Sequence, residues 1–363
     1  MQAYDPFARG PYPVGVRTID ARDPQRNRPF LCEVWYPAAA QHVGEDTAPA
    51  TQDAFTVPFG ETPRLQMAVR HAAAHPGTYP LVVFSHSSGQ HRRMASFLCT
   101  HLTSHGYVVA ALDHSEVVAP ELARRENETE EQKRARVRAW VANRVPDIRF
   151  LLDFVLSSGL ESDLHLEPTQ IGIVGHSFGG WTALAATGED TRIRAVVALA
   201  PGGSSRPKPG IIPATLTFAW NRDVPTLYLV AENDTMTPLA GMYELFDRTP
   251  STRQLMILRR ADHMHFMDDV ERSHELVRTL PWTAELAWIP KEVRPIGELC
   301  SGAQAHVFLR GLTLCHMDAY LKREPAAVRF LAGDITTELE RRGVEAITHA
   351  PGCDLRAAEA PER

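Results

Sequence analysis

Six runs of almost unbroken apolar residues limit the fold most: 80–85 (PLVVFS), 107–112 (YVVAAL), 170–175 (QIGIVG), 194–200 (RAVVALA), 225–231 (PTLYLVA) and 254–259 (QLMILR). Each is too short for a buried helix and lacks the alternation of a half-exposed strand. Such runs suit strands covered on both faces. Segments 91–105, 145–158, 178–187 and 238–247 read as the intervening helices, and 14–19 and 30–36 as an opening pair of strands. The pattern predicts an α/β fold, a mostly parallel eight-stranded sheet flanked by helices and used up by about residue 265.

The 363 residues are read as a single domain, 1–363, with insertions. Residues 37–63, rich in Pro, Ala and Thr, read as loop. Residues 116–143 are a charge-dense helical insertion, read as a solvated face or as a lid. Residues 281–304, with Pro281, Trp282, Trp288, Pro290 and Pro295, resist any periodic reading and are the second cap candidate. Two C-terminal helices follow over 303–342, able either to pack on the sheet or to pair two copies into a homodimer.

Composition removes several classes of function. The chain is 44% hydrophobic and 23% charged with net charge −6, proportions that exclude disordered and coiled-coil chains. It has no basic footprint for nucleic acid. No stretch reaches the ~18–20 apolar residues of a membrane span, and the N-terminus lacks a secretory pattern. Cys32, Cys99, Cys300, Cys315 and Cys353 are widely spread without CxxC, which argues against a disulfide framework or zinc knuckle. A reducing cytoplasm is the expected compartment.

The stretch carrying chemistry is Ile171-Gly-Ile-Val-Gly-His-Ser177-Phe-Gly-Gly180, a G-x-S-x-G between a strand and a helix. A serine on such a turn projects its hydroxyl beyond the sheet, and Gly175 and Gly179 permit the close strand–helix approach. Ser177 is the expected nucleophile. It needs a base, and the base needs an orienting acid. Asp234 follows the 225–231 strand and His263 follows the 254–259 strand, in the order Ser, Asp, His. Glu232 is the competing acid and His265 the competing base. Asp262, Asp268 and Asp269 read as surface or helix-start residues. His263 and His265 could pair on a metal, but no Cys or third His lies close by, so no metal is expected.

Oxyanion donors are expected from the backbone N–H of Phe178 and from the loop after 80–85, at Ser88 with Ser87 as the alternative. His86 and His176 lie in these turns and read as residues that fix them. Trp181, Trp220, Trp282 and Trp288 are either core or contacts in a pocket walled by 116–143, 202–223 and 281–304.

Val82-Val-Phe-Ser-His-Ser-Ser-Gly-Gln-His-Arg92, Leu102-Thr-Ser-His-Gly-Tyr-Val-Val-Ala-Ala-Leu-Asp-His114, Gly175-His-Ser-Phe-Gly-Gly180 and Arg260-Ala-Asp-His-Met-His-Phe266 resemble the α/β-hydrolase superfamily. More narrowly they resemble plasma-type platelet-activating-factor acetylhydrolases and bacterial dienelactone-hydrolase-like proteins. The resemblance implies a cofactor-free carboxylic-ester hydrolase acting on a small-molecule ester, with short-acyl esters or lactones as substrates. Three departures stand out. Ser87 replaces the first glycine of the related His-Gly-x-Gly loop. Ala200-Pro201-Gly202 offers no carboxylate where the acetylhydrolases carry their acid. Ser177 stands where dienelactone hydrolases use cysteine. Alternatives on the same fold are cleavage of an amide or carbon–carbon bond, cofactor-free perhydrolysis, or a non-catalytic binding module.

Overall fold

The computed structural model describes residues 4–57, 63–157 and 163–349. Cys353, the 58–62 part of the predicted 37–63 loop and the residue-158 end of one predicted helix lie outside them. The strands are β1 Val14–Asp23, β2 Arg28–Pro37, β3 Asp53–Phe55, β4 Arg64–Gln66, β5 Val69–Arg70 and β6 Gly77–Ser85. They continue as β7 Val108–Leu112, β8 Leu164–His176, β9 Ile193–Leu199, β10 Thr226–Ala231, β11 Arg253–Leu258 and β12 Ala346–His349. The helices are α1 Ser96–Ser104, α2 Ser115–Val118, α3 Glu130–Ser157, α4 Phe178–Glu189 and α5 Leu239–Arg248. After them come α6 Val270–Thr279, α7 Ile289–Glu292, α8 Gly302–Met317, α9 Pro325–Leu331 and α10 Ile335–Glu340.

Ten strands form one sheet in the order β12-β11-β10-β9-β8-β6-β7-β2-β1-β5. The six buried strands β7, β6, β8, β9, β10 and β11 run parallel to one another, and β1 and β2 form an antiparallel hairpin at one side. The expected eight strands are all present. The other two, β5 and β12, are edge strands of two and four residues, too short to leave a periodic signal. The 37–63 loop contributes β3, which pairs with β4 in a separate small sheet.

Period-two alternation divides the apolar strand residues between two cores. Val82, Phe84, Val109 and Ala111 face α1, α8 and α10, while Leu81, Val83, Val108 and Ala110 face α3, α4 and α5. The C-terminal helix α8 is part of the first core: Phe308, Leu309, Leu312 and Met317 are buried there, which answers the packing alternative for that helix. The predicted 145–158 helix is the second half of α3, which begins inside the insertion at Glu130 and runs through Pro146. Among the described residues no helix is long and apolar enough to cross a membrane.

Chain direction across the sheet reverses at β6: β7 lies on one side of it and β8 on the other. Loops leaving adjacent strand ends at such a reversal diverge and leave a crevice, where ligands bind in open α/β sheets. Ser85, at the end of β6, pairs with Gly175 of β8, so the 86–90 loop and the Ser177 turn flank that crevice. If α8 is integral, Phe308→Ala should lower unfolding free energy by about 3–5 kcal/mol. A urea midpoint unchanged from the parent would show instead that α8 docks independently of the core.

Candidate active site

The turn at Ser177 joins β8 directly to α4. Ser177 has φ 57° and ψ −116°, a backbone conformation few non-glycine residues adopt and one that persists only where the surroundings enforce it. Enforcement comes from three backbone hydrogen bonds: Ser177 N–H to the Leu199 carbonyl, and Trp181 and Gly202 N–H to the Ser177 carbonyl, at 2.9–3.0 Å. The flanking glycines are needed for space. A Cβ on Gly175 would lie 2.0 Å from the Gly179 carbonyl oxygen, and one on Gly179 would lie 2.0 Å from that of Ser85. Ser177 is half-buried, and its hydroxyl has no hydrogen-bond partner among the described residues.

Asp234 and His263 come together across the ends of β10 and β11. His263 Nδ1 is 2.6 Å from Asp234 Oδ2, both side chains being buried. Asp234 is held by its own loop: Oδ1 accepts from Met236 N–H and Thr237 N–H at 2.8 and 2.9 Å, and Oδ2 accepts from the Thr237 hydroxyl at 2.7 Å. The Nδ1–H donated to Asp234 leaves Nε2 as the acceptor in the neutral ring. The His263 ring packs on His176, with centroids 4.6 Å apart. His176 follows Gly175 in the turn, and burial drives its pKa well below the ordinary histidine value.

The competing acid and base lie elsewhere. Glu232 binds Arg259 at 2.8 Å and Arg260 N–H at 2.9 Å. His265 is buried against Asp262, Nδ1 to Oδ1 2.8 Å, and its Nε2 reaches the Cys300 carbonyl at 3.0 Å. Asp262 also approaches His274 Nδ1 at 2.8 Å. The surface reading of Asp262 and Asp268 is therefore corrected. Asp262 is an internal counter-ion under the His263 turn. Asp268 is half-buried and caps α1 by accepting from Ser96 N–H and Phe97 N–H at 2.9 and 3.0 Å. Asp262 does stand at a helix start, accepting from Met264 N–H at 2.9 Å ahead of the 263–266 turn; its His274 partner and both partners of Asp268 are long-range, which local sequence does not reveal. Asp269, half-exposed and paired with Arg64, does stand at a helix start.

The 86–90 loop distinguishes Ser88 from Ser87 as an N–H donor. In a trans peptide the C=O and N–H point oppositely. The Ser87 carbonyl accepts from His86 Nδ1 at 2.7 Å, which turns the Ser88 N–H away from the ring. Ser87 N–H is already used, 3.3 Å from Met94 Sδ. Ser88 N–H and Phe178 N–H make no hydrogen bond among the described residues, and Ser88 is exposed. Neither Ser87 nor Ser88 adopts positive φ; Gly89 does, at 71°. The serine in place of the related glycine therefore carries no backbone strain. His86 and His114 are buried and neutral: burial first, then the Arg144 charge, pushes both well below the ordinary value.

Sequence reasoning missed Arg144. It is fully buried, pairs with Glu116, donates to the His86 carbonyl at 2.7 Å and lies 4.2 Å from the Phe178 ring centroid. Its only sequence signal was a charge at the edge of a charge-rich helical pattern.

The 281–304 insertion meets both of the others. Lys133 pairs with Glu285 and Lys208 with Glu292, while Trp288 Nε1 donates to the Pro209 carbonyl at 3.0 Å. A cavity of about 530 Å³ between Lys208, Glu292, Arg294 and the Glu232–Thr235 loop borders Asp234; Ser177 and His263 do not line it. Of the four tryptophans, Trp181 is buried against Phe178, and Trp282 is tied to the Val277 carbonyl.

The Asp262 cluster generates a pH prediction. Burial opposes a charged His265, but its hydrogen bonds to Asp262 and the Cys300 carbonyl prevail and push its pKa up to about 10. A raised basic pKa adds stability that is full below the unfolded value near 6.5 and is lost as pH rises through about 10. His265→Gln should therefore be about 1.5–3 kcal/mol less stable at pH 6, with the gap closing towards pH 10. Urea unfolding at pH 6, 8 and 10 tests this; a pH-independent gap would mean that His265 is neutral throughout.

A family model described as chlorophyllase matches residues 60–274. Platelet-activating factor acetylhydrolase of Cavia porcellus is 27% identical over 231 residues, covering 52% of this chain and 48% of that protein. That of Gallus gallus is 29% identical over 217 residues, 46% and 51% of the two chains. The chain thus spans about half the length of these relatives. Cutinase est1 of Thermobifida alba is 23% identical over 229 residues, 62% and 66% of the two chains. Among solved structures, a ferulic acid esterase from Streptomyces cinnamoneus superposes with TM-score 0.63 at 24% identity, covering 93% of this chain and 97% of its own; the shared fold is the α/β-hydrolase fold. The family match runs from β4 into α6, across more than half of the chain and every loop of the crevice, and the protein belongs to the chlorophyllase family.

Proposed function

We propose that this protein is a serine carboxylic-ester hydrolase in which Ser177, His263 and Asp234 act as nucleophile, general base and orienting acid. The observation that carries the reading is the buried 2.6 Å Asp234–His263 pair at the crevice that also holds the Ser177 turn. Esterases and acetylhydrolases among the relatives support it.

Ser177 Oγ attacks the ester carbonyl while His263 Nε2 takes its proton. Asp234 keeps Nδ1 protonated and stabilises the imidazolium without itself being protonated. The N–H groups of Phe178 and Ser88 hold the oxyanion. His263 then protonates the departing alcohol, leaving an acyl group on Ser177, and activates a water that releases the acid. The substrates proposed are short-acyl esters or lactones, with 116–143 and 281–304 as a cap over the site. The same reading places the enzyme in a reducing cytoplasm, where the buried thiols of Cys32, Cys99, Cys300 and Cys315 stay reduced.

Hydrolysis of p-nitrophenyl esters from acetate to decanoate, with mass-detected fluorophosphonate labelling, tests the mechanism. Wild type should turn over and gain one adduct, with highest activity on the shortest chains. Ser177→Ala should lose both, and Asp234→Asn should lose about 10³–10⁴ in kcat by favouring the wrong imidazole tautomer. A Ser177→Ala protein that still labels and turns over would sink the assignment.

A further inference from the structure

We propose that Arg144 is a positioning residue for the oxyanion hole, setting the backbone of the 86–88 loop and the start of α4 from beneath. The inference rests on the serine-esterase reading and deepens it. Arg144 is engaged from three directions, with Ser85 Oγ also 3.5 Å from Nη1. Nη1 donates to the His86 carbonyl at 2.7 Å, Nη2 binds Glu116, and the guanidinium face lies 4.2 Å from the Phe178 ring centroid. It thus touches both segments that present the proposed donors, Ser88 N–H and Phe178 N–H, without touching the substrate side.

The consequence follows through two peptide planes. Arg144 grips the His86 carbonyl, so the N–H of the same peptide, that of Ser87, points the opposite way and meets Met94 Sδ at 3.3 Å. With that plane fixed, the His86 ring reaches the next carbonyl, Ser87 O, at 2.7 Å, and Ser88 N–H is turned outward. The His86 ring is itself held, its Nε2 accepting from His114 N–H at 3.1 Å. His114 is braced by Asp147 at 3.1 Å and Ser85 at 2.9 Å. On the α4 side, Gly179 packs against the Ser85 and His86 carbonyls, so a shift of the gripped peptide is transmitted to the Phe178 N–H.

Stability alone does not call for this pair. Arg144 is completely buried and the Glu116 side chain nearly so. Replacing a buried ion pair with apolar groups of similar size is often neutral or stabilising. A planar fork is what the geometry uses, because carbonyl, carboxylate and aromatic face are met at once; a lysine supplies a point charge instead.

Two variants test the role: Arg144→Lys, and Arg144→Met combined with Glu116→Leu. Each is measured for thermal unfolding, for kcat and KM on p-nitrophenyl acetate, and for affinity towards a trifluoromethyl ketone that forms a serine-bound oxyanion. At least one variant should fold as wild type does, with kcat lowered about 10²–10³-fold, KM within about three-fold, and ketone affinity falling in parallel. A folded variant whose kcat and ketone affinity both stay within about three-fold of wild type overturns the proposal. So does a loss confined to KM, and so does failure of both variants to fold, which would make Arg144 a stability residue. Wild-type protein inert to both esters and fluorophosphonate overturns the esterase reading itself, a result separate from an active wild type with indifferent variants.

Discussion

The close approach of β6, β8 and α4 is the contact on which the site depends. No side chain fits between the Gly175 Cα and the Gly179 carbonyl, or between the Gly179 Cα and the Ser85 carbonyl. That proximity drives Ser177 into its positive-φ turn, because the chain must reverse from strand to helix within one residue. It also brings the loop after β6 against the first turn of α4. The Ser177 turn and the placement of the 86–88 loop beside it are therefore consequences of one backbone contact, made where the sheet changes direction. The unfavourable dihedral is offset by hydrogen bonds to strand β9 and the residues after it, so strain and support sit within one turn of each other.

Beneath that contact lies an unusual amount of buried polarity. His86, His114, Arg144, Glu116 and Asp147 occupy one side, and Asp262, His265 and His274 support the His263 turn on the other. Buried polar groups are costly unless satisfied, and satisfied networks fix one arrangement more sharply than apolar packing does. Five of these groups each pin a backbone carbonyl or N–H close to the site: Arg144 on His86 O, His86 on Ser87 O, Asp147 on Ser115 N, Asp262 on Met264 N and His265 on Cys300 O. The loops are held by directional bonds, while apolar packing holds the sheet from which they leave.

The parts of this arrangement legible in sequence are those encoded locally. Strand runs of four to seven apolar residues marked the sheet, and Gly175-His-Ser-Phe-Gly179 marked the elbow by its two glycines. Asp234 and His263 were visible because each follows an apolar run by a few residues. Arg144 was not: it lies at the end of a charge-dense segment most of whose other charges are exposed, and only the tertiary approach of α3 to the 86–88 loop distinguishes it. The surface reading of Asp262 and Asp268 failed for the same reason, since they reach His274, Ser96 and Phe97, although Asp262 does open the 263–266 turn. The edge strands β5 and β12 exist through pairing alone, with too few residues to carry a pattern.

The place of the acid has its own physical logic. The loops after β9 and β10 leave adjacent parallel strands, and the His263 ring meets its carboxylate on the second of them. Two there would repel, raising the pKa of one, so a single loop supplies it. In this chain the Ala200 carbonyl lies 3.3 Å from the Thr237 hydroxyl oxygen. That hydroxyl lies 2.7 Å from Asp234 Oδ2. The loop after β9 thus braces the Asp234 loop, through a threonine that touches both. With Met236 and Thr237 N–H on Oδ1, Asp234 has the rest of its acceptor capacity filled by its own loop. The oxygen facing Nδ1 is held in one direction, and the imidazole has one orientation to adopt.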